Sequence, residues 1–189
     1  MVMAQTSAEV PELADDRLRL RPWRQDDAPA LVAAARESTA SVGRWLPWCH
    51  AGYGPDDARE WIAACESGWR GGKGFSFAIF DARSGALLGG IGLNQLNAEH
   101  RSANLGYWIR QGCQGHGFAT AAVRLVARFG FRRLGLLRME IVVLPQNLPS
   151  RRTAEKSGAR FEGIARHRLL SGERARHAAV YALVEADLR

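Results

Sequence analysis

"RLRLRPW", residues 17–23, switches strictly between charged and apolar positions, the period of a half-buried strand. "RQDDAPALVAAARES" then turns into an Ala/Leu-rich helical run, with Asp26 placed to cap it. From Pro55, "PDDAREWIAACESGWR" predicts a second helix. Ala58, Trp61, Ile62, Cys65 and Trp69 make its apolar stripe, and the proline sits at its start. The period returns to two in "FSFAIFD", and "ARSG" supplies a hairpin turn into "ALLGGIGLNQL", a strand loosened by Gly89, Gly90 and Gly92. "SANLGYWIR" is the fourth strand. It runs into a knot of glycines, "GCQGHG", which opens a long helix stopped by Gly135. A fifth strand, "RMEIVVL", a short helix over 149–157 and two last strands, "RFEGIARH" and "RHAAVYALV", complete the pattern. Three antiparallel-type strands, a crossover helix and a further strand imply an α/β (α+β) domain: a mixed sheet with helices on both faces. Residues 1–16 are acidic and aperiodic and are expected to be a flexible arm, leaving 17–189 as a single domain.

Composition narrows the function classes. With 47% hydrophobic and 24% charged residues, the balance is that of a soluble globular chain. The net charge is +7, carried by 24 arginines and two lysines, which suits phosphate-bearing partners. The arginines are dispersed, with no basic tail and no recognition motif, so no nucleic-acid partner is expected. Three cysteines without metal spacing predict reduced thiols and no bound metal. The first residues lack a secretory pattern and no apolar run approaches spanning length, so the expectation is a cytoplasmic protein off the membrane. Six tryptophans are core residues by default, yet Trp45 and Trp48 fall in the loop "TASVGRWLPWCHAGYG", where an indole needs something to line.

The glycine knot carries the candidate chemistry. Gly112 and Gly117 have the spacing of an NTPase phosphate loop, but Phe118 stands where its lysine belongs. "GCQGHG" also inverts the dinucleotide fingerprint and follows the wrong strand. Two explanations stay open: a turn that only caps the helix, or a set of bare amides at a helix N-terminus that binds an anion. Along that helix Phe118, Ala122, Leu125 and Phe129 form an apolar face. Arg124, Arg128 and Arg132 form another, either solvated or in contact with a ligand phosphate.

"QGHGFA" resembles the Q/R-x-x-G-x-G/A signature of the GNAT acetyltransferases. "PQNLPSRRTAEKSGARFEG" resembles the family's N-x-x-S-x-x-x-x-E-K-x-G segment. "RWLPW" from Arg44, with "GLNQLN", resembles the RimJ/RimL-like branch, which acetylates protein N-termini. The motifs stand in family order and cover residues 17–184. The resemblance implies the GNAT acyl-CoA N-acyltransferase fold: a mostly antiparallel sheet of about six or seven strands, splayed between the fourth and fifth. It implies acetyl-CoA as co-substrate and no metal. Gln114, Gly115, His116, Gly117, Phe118, Ala119 and Thr120 would cradle the diphosphate, with His116 supplying its amide and not a base. A backbone N–H of Trp108, Ile109 or Arg110 would polarise the thioester carbonyl. Asn147 would hold the pantetheine arm and Ser150 would stabilise or protonate the thiolate. The amine acceptor, a ribosomal-protein N-terminus by this likeness, would pass Trp45, Trp48 and Asn94. Members of this branch form homodimers, which is the expectation here.

The family's general base has no counterpart at its usual places. Asn104 stands before "LGYW" and "RHRLL" holds no acid, while Glu99, His100, Glu140 and Glu173 are unranked neighbours in sequence. An α-amine, with a pKa of about 7.7–8.0, is already partly neutral and needs little help, which favours it over lysine. Two rivals follow: an acetyltransferase of a small amine (polyamine, amino acid or antibiotic), and a non-catalytic acyl-CoA binding module.

Overall fold

A computed structural model describes residues 11–171 and 173–188. In chain order the elements are β1 (Leu13–Ala14), β2 (Leu18–Pro22), α1 (Ala28–Glu37), α2 (Pro55–Gly71), β3 (Phe75–Asp81), β4 (Leu87–Asn97), β5 (Ser102–Ile109), α3 (Phe118–Arg132), β6 (Arg138–Val143), α4 (Leu148–Lys156), β7 (Arg160–Ser171) and β8 (Arg174–Leu183). One sheet has the order β1-β2-β3-β4-β5-β6-β8-β7. Every pairing is antiparallel except β5 with β6, the pair joined through α3, as a helical crossover requires. The sheet has eight strands where six or seven were expected. The addition is the two-residue β1, which pairs with Leu20 and Arg19 and is too short for any alternation to reveal it. It lies inside the expected arm; residues 1–10 of that arm are outside the described residues.

Strand β3 shows why helices cover both faces. Phe77 and Ile79 point to one side and pack with α3 residues such as Ala122, Val126 and Phe129. Ala78 and Phe80 point to the other and pack with Leu31, Ala35 and Ile62 of α1 and α2. All four β3 residues are buried.

Two local assignments are corrected. Asp27, not Asp26, organises the entry to α1. Its carboxylate accepts the Arg24 N–H at 2.9 Å and both ends of the Arg21 guanidinium at 2.8 and 2.7 Å. Trp61 does not join the buried stripe of α2: it is 47% exposed, while its neighbour Ile62 is fully buried. It sits on the shoulder of the helix and faces a groove.

Candidate active site

Strands β5 and β6 pair only through Ser102, Ala103 and Asn104 with Arg138, Met139 and Glu140, and beyond Asn104 they part. Into this gap opens a groove of about 1160 Å³. Of the residues singled out from sequence, Trp45, Trp48, Asn94, Trp108, Ile109, Gln114, Gly115, Gly117, Phe118, Ala119, Asn147 and Ser150 line it. Arg110, His116 and Thr120 do not.

Strand parity sorts the three β5 candidates. The Arg110 N–H donates to the Leu88 carbonyl at 2.8 Å, so it is consumed by β4. Because donors alternate along an antiparallel strand, the Trp108 amide points to β4 as well. The Ile109 amide faces the other edge, where β6 has left, and so does that of Tyr107, a residue the sequence did not single out. Arg110 is therefore corrected on both counts: its N–H is paired, and its guanidinium is bound to the Glu37 carboxylate and the Leu87 carbonyl.

The phosphate-type loop is built to leave amides bare. Gly115 and Gly117 hold φ of +82° and +78°, a region in which an L side chain is strained. Among the described residues no protein acceptor meets the N–H groups of Gly115, His116, Gly117, Phe118, Ala119 or Thr120. They lie at the N-terminus of α3, where partial positive charge collects. The loop is held from behind. Glu37 accepts the Gly112 N–H at 2.8 Å, and the Ser38 hydroxyl accepts that of Gln111 at 3.0 Å. Gln114 donates to the Ile109 carbonyl at 2.9 Å and to Ser41 at 3.2 Å. Arg17 donates to the His116 carbonyl at 2.7 Å and lies 4.7 Å above the Phe118 ring. The His116 ring is exposed and stacks on Phe118.

The Arg110 guanidinium and the Gly112 amide hold the Glu37 carboxyl below the usual carboxylate range. A lowered folded pKa stabilises the fold above the ordinary value of 4.5 and loses that contribution as pH falls below it. Glu37→Gln is expected to cost about 1 kcal/mol at neutral pH, the scale of a partly exposed network. The loss should shrink as pH falls below 4.5, which urea melts at several pH values would test. An equal loss at every pH would assign the role to packing.

At the gap, Asn147 caps α4: its Oδ1 accepts the Ser150 N–H at 3.2 Å, and among the described residues its amide nitrogen meets no acceptor. The Tyr107 hydroxyl lies 3.0 Å from the Ser150 carbonyl and 3.1 Å from its Oγ. Burial pushes the Tyr107 phenol up to about 12. Trp108 and Tyr53 both stack edge-on against Trp48. Asn94 accepts from Asn104 at 2.9 Å. The four unranked neighbours Glu99, His100, Glu140 and Glu173 are absent from the groove wall; Glu140 is paired with Arg138 at 3.0 Å. The carboxylates that do line it are Asp57 and Glu60 of α2.

Unpaired amides beside two glycines, a free strand edge and a long groove fit a diphosphate with an extended acyl arm. Residues 17–160 match the family model described as the acetyltransferase (GNAT) domain. The chain belongs to the GNAT acetyltransferase family. Like other GNAT enzymes it is an N-acetyltransferase that uses acetyl-CoA. YdaF of Bacillus subtilis, named as a candidate ribosomal N-acetyltransferase, is 30% identical over 156 residues, covering 80% of this GNAT chain and 82% of its own. YjcK of the same organism, named as a candidate N-acetyltransferase, is 41% identical over 93 residues, 49% of this chain and 51% of that one. Among solved structures, Mycobacterium smegmatis RimJ in complex with CoA-disulfide superposes with a TM-score of 0.83 at 26% identity, over 90% of this chain and 83% of that one.

Proposed function

We propose that this GNAT enzyme acetylates the N-terminal α-amine of a protein, a ribosomal protein by its likeness to YdaF, through direct attack in a ternary complex. Acetyl-CoA supplies an activated acyl thioester. The amides of Gly115, Gly117, Phe118, Ala119 and Thr120 hold the diphosphate, and the Asn147 amide nitrogen holds the pantetheine arm. The Ile109 N–H, which faces the open strand edge, polarises the thioester carbonyl, the kind of fixed donor that favours charge developing in the transition state. An N–C bond forms and the C–S bond breaks. The amine's surplus proton leaves to water or to a groove carboxylate, and the thiolate is met by the Ser150 hydroxyl. Cys113 is the one thiol on the groove wall among the described residues, and it belongs to the turn before the phosphate loop and not to the gap. That favours direct transfer over an acetyl-cysteine. A cytoplasmic location belongs to the same reading, supported by three free cysteines, and among the described residues no helix is long and apolar enough to cross a membrane.

The observation that carries the reading is the row of bare amides opening onto the β5–β6 gap. A small cationic amine is the second reading, favoured by Asp57 and Glu60 standing with Trp61 on the groove wall. An acceptor panel separates them: peptides with free N-termini, the same peptides blocked at the N-terminus but bearing lysine, and free polyamines and amino acids. Thiol release is expected with the first group. Turnover of small amines with none on peptides would remove the protein acceptor, and tight acetyl-CoA binding without transfer to any amine would remove catalysis.

A further inference from the structure

Beside the groove lies a second concavity of about 680 Å³. Arg44 and Trp45 come to it from the loop between α1 and α2, Gln146 from the loop before α4, His167 from β7, and Arg176 and His177 from β8. Arg44, Trp45 and Gln146 also line the groove, so the two spaces share a wall, and Gln146 directly precedes Asn147. Among the described residues no carboxylate lines this concavity. Among the described residues neither Arg44 nor Arg176 enters an ion pair, whereas Arg168 of the same hairpin is paired with Glu140. Arg44 rests on the Trp45 ring at 4.8 Å, which fixes the guanidinium plane and leaves its edge free to donate.

The hairpin is shaped for this place. Pairing runs from Ala165 with Ala178 to Leu169 with Arg176, so β7 carries extra residues opposite His177. At the centre of that bulge His167 adopts a φ of +50°, an uncommon conformation for a non-glycine residue. It is held there by its N–H, which donates to His177 Nδ1 at 3.2 Å, and by stacking of the two rings at 5.2 Å. Both imidazoles line the concavity. A bulge that re-aims side chains beside a site is a recurrent device, and strain of this kind persists only where the surroundings impose it.

We propose that this concavity takes an aspartate or glutamate side chain of the acceptor peptide, a few residues beyond the acetylated amine. The inference rests on the N-terminal acceptor proposed above. Charge complementarity selects the occupant. The groove presents Asp57 and Glu60, which suit an α-ammonium, and the adjoining space presents Arg44 and Arg176 with two imidazoles, which suit a carboxylate. An extended peptide advances about 3.3–3.6 Å per residue, so one entering by its N-terminus carries its next side chains along the shared wall.

The test uses the full chain, acetyl-CoA and three peptides that share their first two residues and then carry acidic, neutral amide or lysine side chains. The acidic peptide is expected to have about a tenfold higher kcat/KM than the neutral one, expressed in KM and shrinking with added salt. Arg176→Glu should remove that advantage and favour the lysine peptide, while the neutral peptide and the KM for acetyl-CoA stay as they were. Arg176→Gln should fall between, and it preserves the test if charge reversal disturbs the hairpin. Equal turnover of acidic and neutral peptides by the unmodified enzyme, or a uniform slowing of all three by Arg176→Glu, overturns the proposal. Turnover of free amines with no peptide acetylated is a different result: it removes the N-terminal acceptor and this subsite with it.

Discussion

Ser150→Ala is expected to lower kcat for acetyl transfer by about a hundredfold while leaving acetyl-CoA affinity unchanged, the scale of one lost proton donor. The Ser150 amide is fixed by Asn147 at 3.2 Å, so the residue cannot drift from the first turn of α4. The Tyr107 hydroxyl reaches both the Ser150 carbonyl, at 3.0 Å, and its Oγ, at 3.1 Å, but has a single proton to give. When that proton goes to Oγ, the serine accepts it as a hydrogen bond and is free to turn its own hydrogen toward a developing thiolate. Tyr107 is thus a positioning residue. Its phenol, pushed up to about 12 by burial, keeps its proton through the range, about pH 7.7–8.0, in which an α-amine acceptor becomes neutral. Tyr107→Phe should therefore lower kcat by about tenfold without adding or removing a limb of the pH–rate profile. The double variant should be no slower than Ser150→Ala alone, because Tyr107 acts through Ser150. Stopped thiol release across pH would measure all three. Wild-type kcat in Ser150→Ala, or a further drop on adding Tyr107→Phe, would sink the assignment.

How much of this was legible in the sequence depends on whether the information was local. Strand β3 announced itself because Phe75, Phe77 and Ile79 recur at a period of two between polar or small residues. The glycine loop was legible because φ near +80° at Gly115 and Gly117 demands glycine at fixed spacing. The glycines of β4 were visible, but their reason was not. A Cβ on Gly89 would stand 2.1 Å from the Trp108 carbonyl oxygen, and one on Gly90 would stand 2.7 Å from the Trp108 indole nitrogen. Those contacts exist only once β4 and β5 are paired. The same holds for the choice of Ile109 over Arg110, since which amides face the gap depends on register with a strand about twenty residues away. Glu37 gave no signal at all: its bond to Gly112 spans 75 residues. The missing acids were sought beside the fourth strand because the family resemblance pointed there, and proximity in sequence could not rank the neighbours. The groove instead takes Asp57 and Glu60 from α2, whose helical pattern said only that they lie off the buried stripe.

Gly117→Val is expected to raise the acetyl-CoA dissociation constant by at least about tenfold, and the Gly115→Val/Gly117→Val double variant by about a hundredfold, since each forced left-handed residue costs about 1–2 kcal/mol and the loop relaxes by turning its amides away. Space is not what such a change offends. A Cβ at Gly115 meets nothing within 4 Å, and one at Gly117 meets only the Arg17 side chain at 3.8 Å. Backbone direction is therefore the quantity under test, and a control isolates it. Gly85, in the β3–β4 turn, has a φ of +70° and equally open surroundings. Gly85→Val should lose comparable stability in a urea melt, because it suffers the same strain, yet bind acetyl-CoA as the parent does. Calorimetric titration of the variants separates the two effects. If Gly117→Val and Gly85→Val lose stability alike and both retain full affinity, the bare amides are only a helix cap, and the diphosphate must be held elsewhere in the groove.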